Sequence, residues 1–372
     1  MDRLNVRRAD RYPKATEHIK EMIGWIDGLV DRGYAYAVDG DVYYEVEKFK
    51  GYGKLSKRKK KDMQAGARVA VDERKKNPLD FALWKKAKEG EPSWESPWGP
   101  GRPGWHIECS VMSSQYLGEQ FDIHGGGMDL IFPHHENEIA QAEAATGKAP
   151  WVKYWIHNGF VTVNKQKMSK SLGNFFTLKE IFEKFDPMVV RFFLLSTHYR
   201  SPINYSDREI ASAREAYGRI VKFVQDIGFL LEKSAEQAPT IELEDLEEEL
   251  LEFKDKFRAA MDDDFNTAGA IAEIFELIHY CNKKLEEGEV EKECLEVMKR
   301  SVLEMCGTLG MKTGPRPEAK GPRLEVQKLI AERDEAREKK DFAKADKIRL
   351  KLKEMGIELE DTPYGTRWTK GA

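Results

Sequence analysis

The chain has 372 residues, with 61 Lys+Arg against 65 Asp+Glu, a formal net charge of −4, and 41% hydrophobic residues. These figures exclude wholesale disorder and a globally basic nucleic-acid binder, and no apolar run approaches the ~18 residues that cross a bilayer. The length suits two or three domains at roughly 150 residues each. The opening MDRLNVRRAD has no apolar signal segment, and the four cysteines (109, 281, 294 and 306) are too scattered for a disulfide framework. A cytoplasmic protein without membrane contact is expected.

Residues 14–33 place Ile19, Ile23, Ile26 and Val30 on one helical face, with Gly33 suited to the stop. A strand follows at 40–46 after the turn pair Asp39-Gly40, and 56–62 (SKRKKKD) is a basic loop. DFALW (80–84) reads as a short buried strand, and the Pro-, Gly- and Trp-rich stretch 86–104 as a loop packed onto something. A helix over 105–117, a strand at 121–127 ending in three glycines, and a helix over 133–145 come next. The run 155–163 (WIHNGFVTV) reads as one buried strand, followed by the polar loop NKQKMSKSLGN. Strand, glycine turn, helix, strand is the grammar of a parallel α/β sheet. Beyond residue 206 the sequence is helical to about 311, then a linker (312–322), a helical pair (324–355) and a hairpin-like end. The α/β fold expected is a partial Rossmann-type sheet, then an all-α bundle and a small C-terminal domain. Its boundaries fall at 1–150, 151–205, 206–311 and 323–372.

Six of the eight histidines lie between 106 and 198, together with Cys109. His134 and Glu138 are spaced i, i+4, so both project from one helical face. A thiolate, an imidazole and a carboxylate converging on one point suit Zn²⁺. The same residues equally suit a small buried thiol and helix-lining histidines. Gly125-Gly126-Gly127, with Asp129 just beyond, could let a phosphate or ribose approach the backbone, or could simply be a tight turn. Lys167-Met168-Ser169-Lys170-Ser171 offers two cations flanking a hydroxyl, a clamp suited to polyphosphate.

KMSKS (167–171) is a signature of class I aminoacyl-tRNA synthetases. GWHIECS (104–110), FDIHGGGMDLIFPHHENEIAQAEAATG (121–147), NGFVTVNKQKMSKSLGNFFTL (159–178) and MDDDFNTAGAI (261–271) resemble cysteinyl-tRNA synthetases in particular. KADKIRLKLKEMGIELEDTPYGTRW (344–368) resembles that family's small anticodon-binding domain. The resemblance implies a cysteine–tRNA ligase with ATP, cysteine and tRNA(Cys) as substrates, Mg²⁺ accompanying ATP, and one Zn²⁺ whose open position takes the substrate thiolate; nothing in the sequence calls for more than a monomer. It places Cys109, His134 and Glu138 on the metal, and Trp105 and His124 beside the cysteine pocket. Gly126, Asp129, Lys167, Ser169 and Lys170 fall on ATP, with Lys170 the catalytic cation. Arg337, Asp346, Asp361 and Trp368 become candidates for reading anticodon bases. The run 54–61 (KLSKRKKK) is more basic than the family's usual pattern, and its charge equally suits contact with acceptor-stem phosphates and a solvated loop.

The chain also departs from the family pattern. No two of its histidines are three apart, so a His-Ile-Gly-His motif is absent, and no cysteine precedes Cys109 to serve as a further zinc ligand. The opening segment resembles the middle of a family member. The expectation is therefore a C-terminal part of a synthetase, impaired in activity alone. The alternatives are a non-catalytic tRNA-binding protein, or partner subunit of a split synthetase, and a ligase joining cysteine to a small-molecule amine. The anticodon-like C-terminus argues against the last.

Overall fold

The computed structural model describes residues 1–60, 73–168, 173–233, 242–288, 290–313, 323–362 and 365–370. Its backbone divides into two compact units. One comprises Arg7–Phe175 with Tyr199–Ser206, and the other Met1–Val6, Phe176–His198 and Asp207–Ala372.

In the first unit, helix α1 (Ile19–Asp31) buries Ile19, Met22, Ile26 and Leu29 and stops at Gly33, whose φ of +75° a side chain would resist. Strands β1 (Ala35–Val38) and β2 (Asp41–Tyr44) form a two-residue hairpin, with Val38 opposite Asp41 and positive φ at both Asp39 and Gly40. That is the turn the Asp-Gly pair predicts. β3 (Phe81–Lys86) and β4 (Gly101–Pro103) complete a four-stranded antiparallel sheet. Its core gathers Tyr44, Leu83 and Trp84 with Met22, Ile26, Ile107 and Val111. The tryptophan-rich loop packs as expected: Trp98 lies against Trp84, and a Cβ at Gly101 would run into the Trp84 indole.

Helix α2 (Trp105–Leu117) leads into β5 (Phe121–Gly127), helix α3 (Glu136–Thr146) and β6 (Val152–Asn158). β5 and β6 are parallel, with Phe121 opposite Val152 and Gly127 opposite Asn158, so α3 is the crossover of a β-α-β unit. Two local expectations need correction. The helix read from 133 opens as a wide helical turn through His135, just after the extended Phe132 (φ −139°, ψ 128°), and tightens to α only at Glu136. The run 155–163 is two strands rather than one. At Gly159 the chain passes directly against the backbone of Ser201, with no room for a Cβ, and Gly159 N donates to Tyr199 O at 2.7 Å. Beyond that crossing β7 (Val161–Val163) joins a second sheet, pairing antiparallel with β8 (Gln166–Lys167) and parallel with β9 (Ile203–Tyr205).

The second unit is mainly helical: α4 (Leu178–Lys184), α5 (Pro187–Leu195), α6 (Asp207–Lys233), α7 (Leu243–Asp262), α8 (Thr267–Glu287) and α9 (Lys292–Thr308). Thr177 and Glu180 form a reciprocal capping box at α4, and Asp186 caps α5 ahead of Pro187. Apolar faces of α6–α9 meet around Ile220, Ile227, Leu246, Ile274 and Met298. Cys281, Cys294 and Cys306 are buried there as small apolar side chains. Helices α10 (Arg323–Glu338) and α11 (Phe342–Glu354) pack with a hairpin of β10 (Ile357–Thr362) and β11 (Gly365–Lys370). Val326, Ile330, Ile348, Leu352 and Ile357 form a separate small core.

Candidate metal centre

Gly104 opens α2 where only a glycine fits, since a Cβ would overlap Ala82 O. Trp105 follows, and Cys109 lies one turn further on. Helix α3 is laced to α2 by a buried amide: Gln141 Nε2 donates to His106 O at 2.5 Å and to Ser110 Oγ at 2.6 Å. That lacing sets Cys109 against the first turn of α3, and the donor atoms of Cys109, His134 and Glu138 lie within 4.8 Å of one another.

Glu138 decides the chemistry. Its side chain is fully buried, His134 Nε2 stands 2.7 Å from Oε1, and His124 Nε2 stands 3.2 Å from Oε2. Yet neither carboxylate oxygen has a hydrogen-bond partner. The imidazole nitrogens are close without being aimed as donors, so charge proximity and hydrogen-bond satisfaction part company here. A buried carboxylate without donors is costly unless a cation joins it. Burial, and then the Glu138 carboxylate, push the Cys109 thiol up to about 12, so it is neutral until a cation arrives.

The surrounding histidines fix the imidazoles. His134 stacks on Trp105 with centroids 4.1 Å apart, and its Nδ1 lies 2.7 Å from His106 Nδ1. Burial pushes His106 down to about 3, so it is neutral and can accept. With the proton of His134 on Nδ1 and donated to His106, Nε2 presents its lone pair toward Glu138. This is the supporting hydrogen bond a ligand imidazole needs. His135 and His157 pair in the same way, Nδ1 to Nε2 at 2.8 Å, and burial drives His135 down to about 3. His124, His135 and Glu138 form a second convergent trio that shares the same carboxylate.

The other sequence candidates fall in several places. Trp105 remains 57% exposed, its ring over His134. His124 lines the centre between Trp151, Trp155 and His135. A Cβ on Gly126 would come within 2.8 Å of the His135 ring, and the Asp129 carboxylate occupies the space over Gly127. The glycine turn therefore has packing reasons of its own. Lys167 ends β8 opposite Thr162, while Ser169 and Lys170 lie outside the described residues.

In the C-terminal domain Asp361 accepts two hydrogen bonds from Arg333, at 2.8 and 2.7 Å, and pairs with Arg337 at 2.9 Å. Trp368 packs on the small apolar core, and Asp346 is exposed on α11. The sequence assigned no supporting role at the site to His106, His135 or His157, and none at all to Gln141 and Arg333. The crowding of histidines into 106–198 was the signal available for the first three.

A family profile described as tRNA synthetases class I (C) catalytic domain matches residues 1–215. A DALR domain profile matches 256–313, and a cysteinyl-tRNA ligase anticodon binding domain profile matches 323–368. A cysteine–tRNA ligase of Carboxydothermus hydrogenoformans is 52% identical over 99% of this chain and 78% of its own length. The chain belongs to the cysteinyl-tRNA synthetase family. A cysteine–tRNA ligase of Geobacter metallireducens is 53% identical over 96% of this chain and 76% of its own. Among solved structures, a methionyl-tRNA synthetase from Mycobacterium tuberculosis superposes with a TM-score of 0.58 at 16% identity, covering 83% of this chain and 76% of that one. That likeness shows the class I synthetase fold. These matches lend no support to a non-catalytic tRNA-binding protein or to a small-molecule cysteine ligase.

Proposed function

We propose that the chain acts as a cysteine–tRNA ligase whose amino-acid selectivity rests on a zinc ion held by Cys109, His134 and Glu138. The observation that carries this reading is the fully buried Glu138 carboxylate, ringed by a thiol and two imidazoles and faced by no Lys or Arg among the described residues. The reaction runs in two steps. The carboxylate of cysteine attacks the α-phosphorus of Mg²⁺-bound ATP, forming cysteinyl-adenylate as pyrophosphate leaves. A hydroxyl of the 3′-terminal ribose of tRNA(Cys) then attacks the adenylate carbonyl, and AMP leaves.

When bound, zinc supplies a soft Lewis-acid position that takes a thiolate and discriminates against the hydroxyl of serine. His106 keeps the His134 proton on Nδ1, and Trp105 and His124 wall the adjoining space. Lys170 stabilises the charge that grows on the departing pyrophosphate, supported by Lys167 and Ser169. Gly126 and Asp129 border the ATP side, and Arg337, Asp346, Asp361 and Trp368 lie on the anticodon side.

Cysteine-dependent ATP–pyrophosphate exchange, run with cysteine and with serine, tests the reading. Exchange with cysteine alone is expected, and Lys170→Ala should lower it by about 10²–10³-fold, the cost of losing one oxyanion-stabilising donor. Equal exchange with serine would refute the zinc-based selectivity.

A further inference from the structure

The basic loop and the metal helix are fastened together. Glu136, fully buried in the first turn of α3, accepts hydrogen bonds from two loop amides, Gly53 N at 2.9 Å on Oε1 and Ser56 N at 2.8 Å on Oε2. Beside it Tyr52 Oη donates to Asn137 Oδ1 at 2.5 Å, and the Arg58 guanidinium lies over the Phe132 ring at 5.0 Å. Residues 52–58 are thus tied at three points to residues 132–137, the segment that contains His134 and precedes Glu138.

The outer face of this loop carries Lys54, Lys57, Arg58 and Lys59, all exposed. Among the described residues no acidic side chain pairs with Lys57, Arg58 or Lys59, whereas Lys60 turns back to Glu47 at 3.4 Å. Unpaired cations on a loop whose backbone is held by a buried carboxylate form a preorganised anion-binding surface. A polyanion with regularly spaced phosphates fits it, and RNA meets that requirement.

We propose that loop 53–59 is a phosphate-binding surface for the acceptor end of tRNA, and that Glu136 is the positioning residue that holds it in fixed register with the metal donors. The proposal rests on the tRNA-ligase reading. It adds a second RNA contact besides the C-terminal domain, and it couples that contact to the segment 132–138 that presents His134 and Glu138.

The test measures binding of the zinc-loaded full chain across a salt series, to a tRNA(Cys) transcript and to an acceptor-stem minihelix that lacks the anticodon. Replacing the three unpaired cations together (Lys57→Ala, Arg58→Ala and Lys59→Ala) should make the log–log salt slope shallower by about 2 to 3 on both RNAs, at ~0.7–0.9 per phosphate contact. Glu136→Gln presents one acceptor where two amides need one each, so it should release the loop and shift the slope in the same direction. It should leave the absorption spectrum of the cobalt(II)-substituted protein unchanged, because Glu136 donates nothing to the metal.

A wild-type slope in the triple variant overturns the surface, and a wild-type slope in Glu136→Gln overturns the latch. Loss of both RNA binding and the cobalt spectrum in Glu136→Gln makes it a residue of the helix fold, and contradicts the positioning role. If the wild-type chain binds the minihelix but not through these cations, the inference fails and the ligase reading stands. If it binds neither RNA, both fall.

Discussion

Arg333 and Glu138 are both charged side chains buried in this protein, and they solve the problem in opposite ways. In the C-terminal domain Arg333 is 3% exposed and gives Asp361 a two-pronged ion pair, with Thr366 and Arg337 completing the partners. At the start of α3 Glu138 is equally buried, but its neighbours are imidazoles and a neutral thiol, with no Lys or Arg against it among the described residues. The first cluster is closed: every charge meets its opposite within the chain. The second is open and needs a cation from outside. Burial alone does not distinguish a structural charge from a functional one; the bookkeeping of partners does.

Opening the contrast further should produce the largest effect at the metal centre. Glu138→Ala removes a donor outright and should weaken zinc binding beyond the ~10–100-fold typical of changes behind the ligands, measured by competition with a chromophoric chelator. The closed cluster should answer in stability instead. Arg333→Met leaves Asp361 only Arg337 and Thr366, and since that carboxylate is 37% exposed and keeps a cation the loss should be roughly 2 kcal/mol, below the ~3–5 of a fully buried pair. Chemical denaturation followed by circular dichroism would read it.

A smaller effect has a reversed sign. In metal-free protein Glu138→Gln removes a buried carboxylate that no Lys or Arg faces, so it should stabilise by about 1 kcal/mol in thermal unfolding, whereas in zinc-loaded protein it should destabilise. The smallest concerns pH. Arg333 holds Asp361 at about 2, below its ordinary value of 3.8. A depressed carboxylate contributes stability above its unfolded pKa and loses it as pH falls through the folded one. The gap in melting temperature between wild type and Arg333→Met should therefore narrow from pH 4 to pH 2.

Much of the architecture was legible because local chemistry and fold agree. The Asp39-Gly40 turn, the α2 helix and the β5 strand with its glycines all follow from short-range rules. Where reading failed, the cause lay at a distance in sequence. Gly159 ends β6 because Ser201 passes over it, and the entry to α3 is delayed by the extended Phe132. The convergence of Cys109, His134 and Glu138 was legible in residue type and spacing. The histidines behind them were not, because the His106–His134 and His135–His157 pairs join residues 28 and 22 positions apart. Arg333 stayed hidden for the same reason, since nothing local distinguishes it from the other cations of α10 until the hairpin brings Asp361 against it.

Glu138 lies at the centre of the proposed metal site, which Cys109 and His134 complete. Cobalt(II) titration of the metal-free full chain tests this most directly, because a thiolate bound to Co²⁺ has a charge-transfer absorption band that a hydroxyl lacks. One equivalent should saturate that band in the wild type, and Cys109→Ser should abolish it. No band in the wild type, or an undiminished band in Cys109→Ser, would contradict the account.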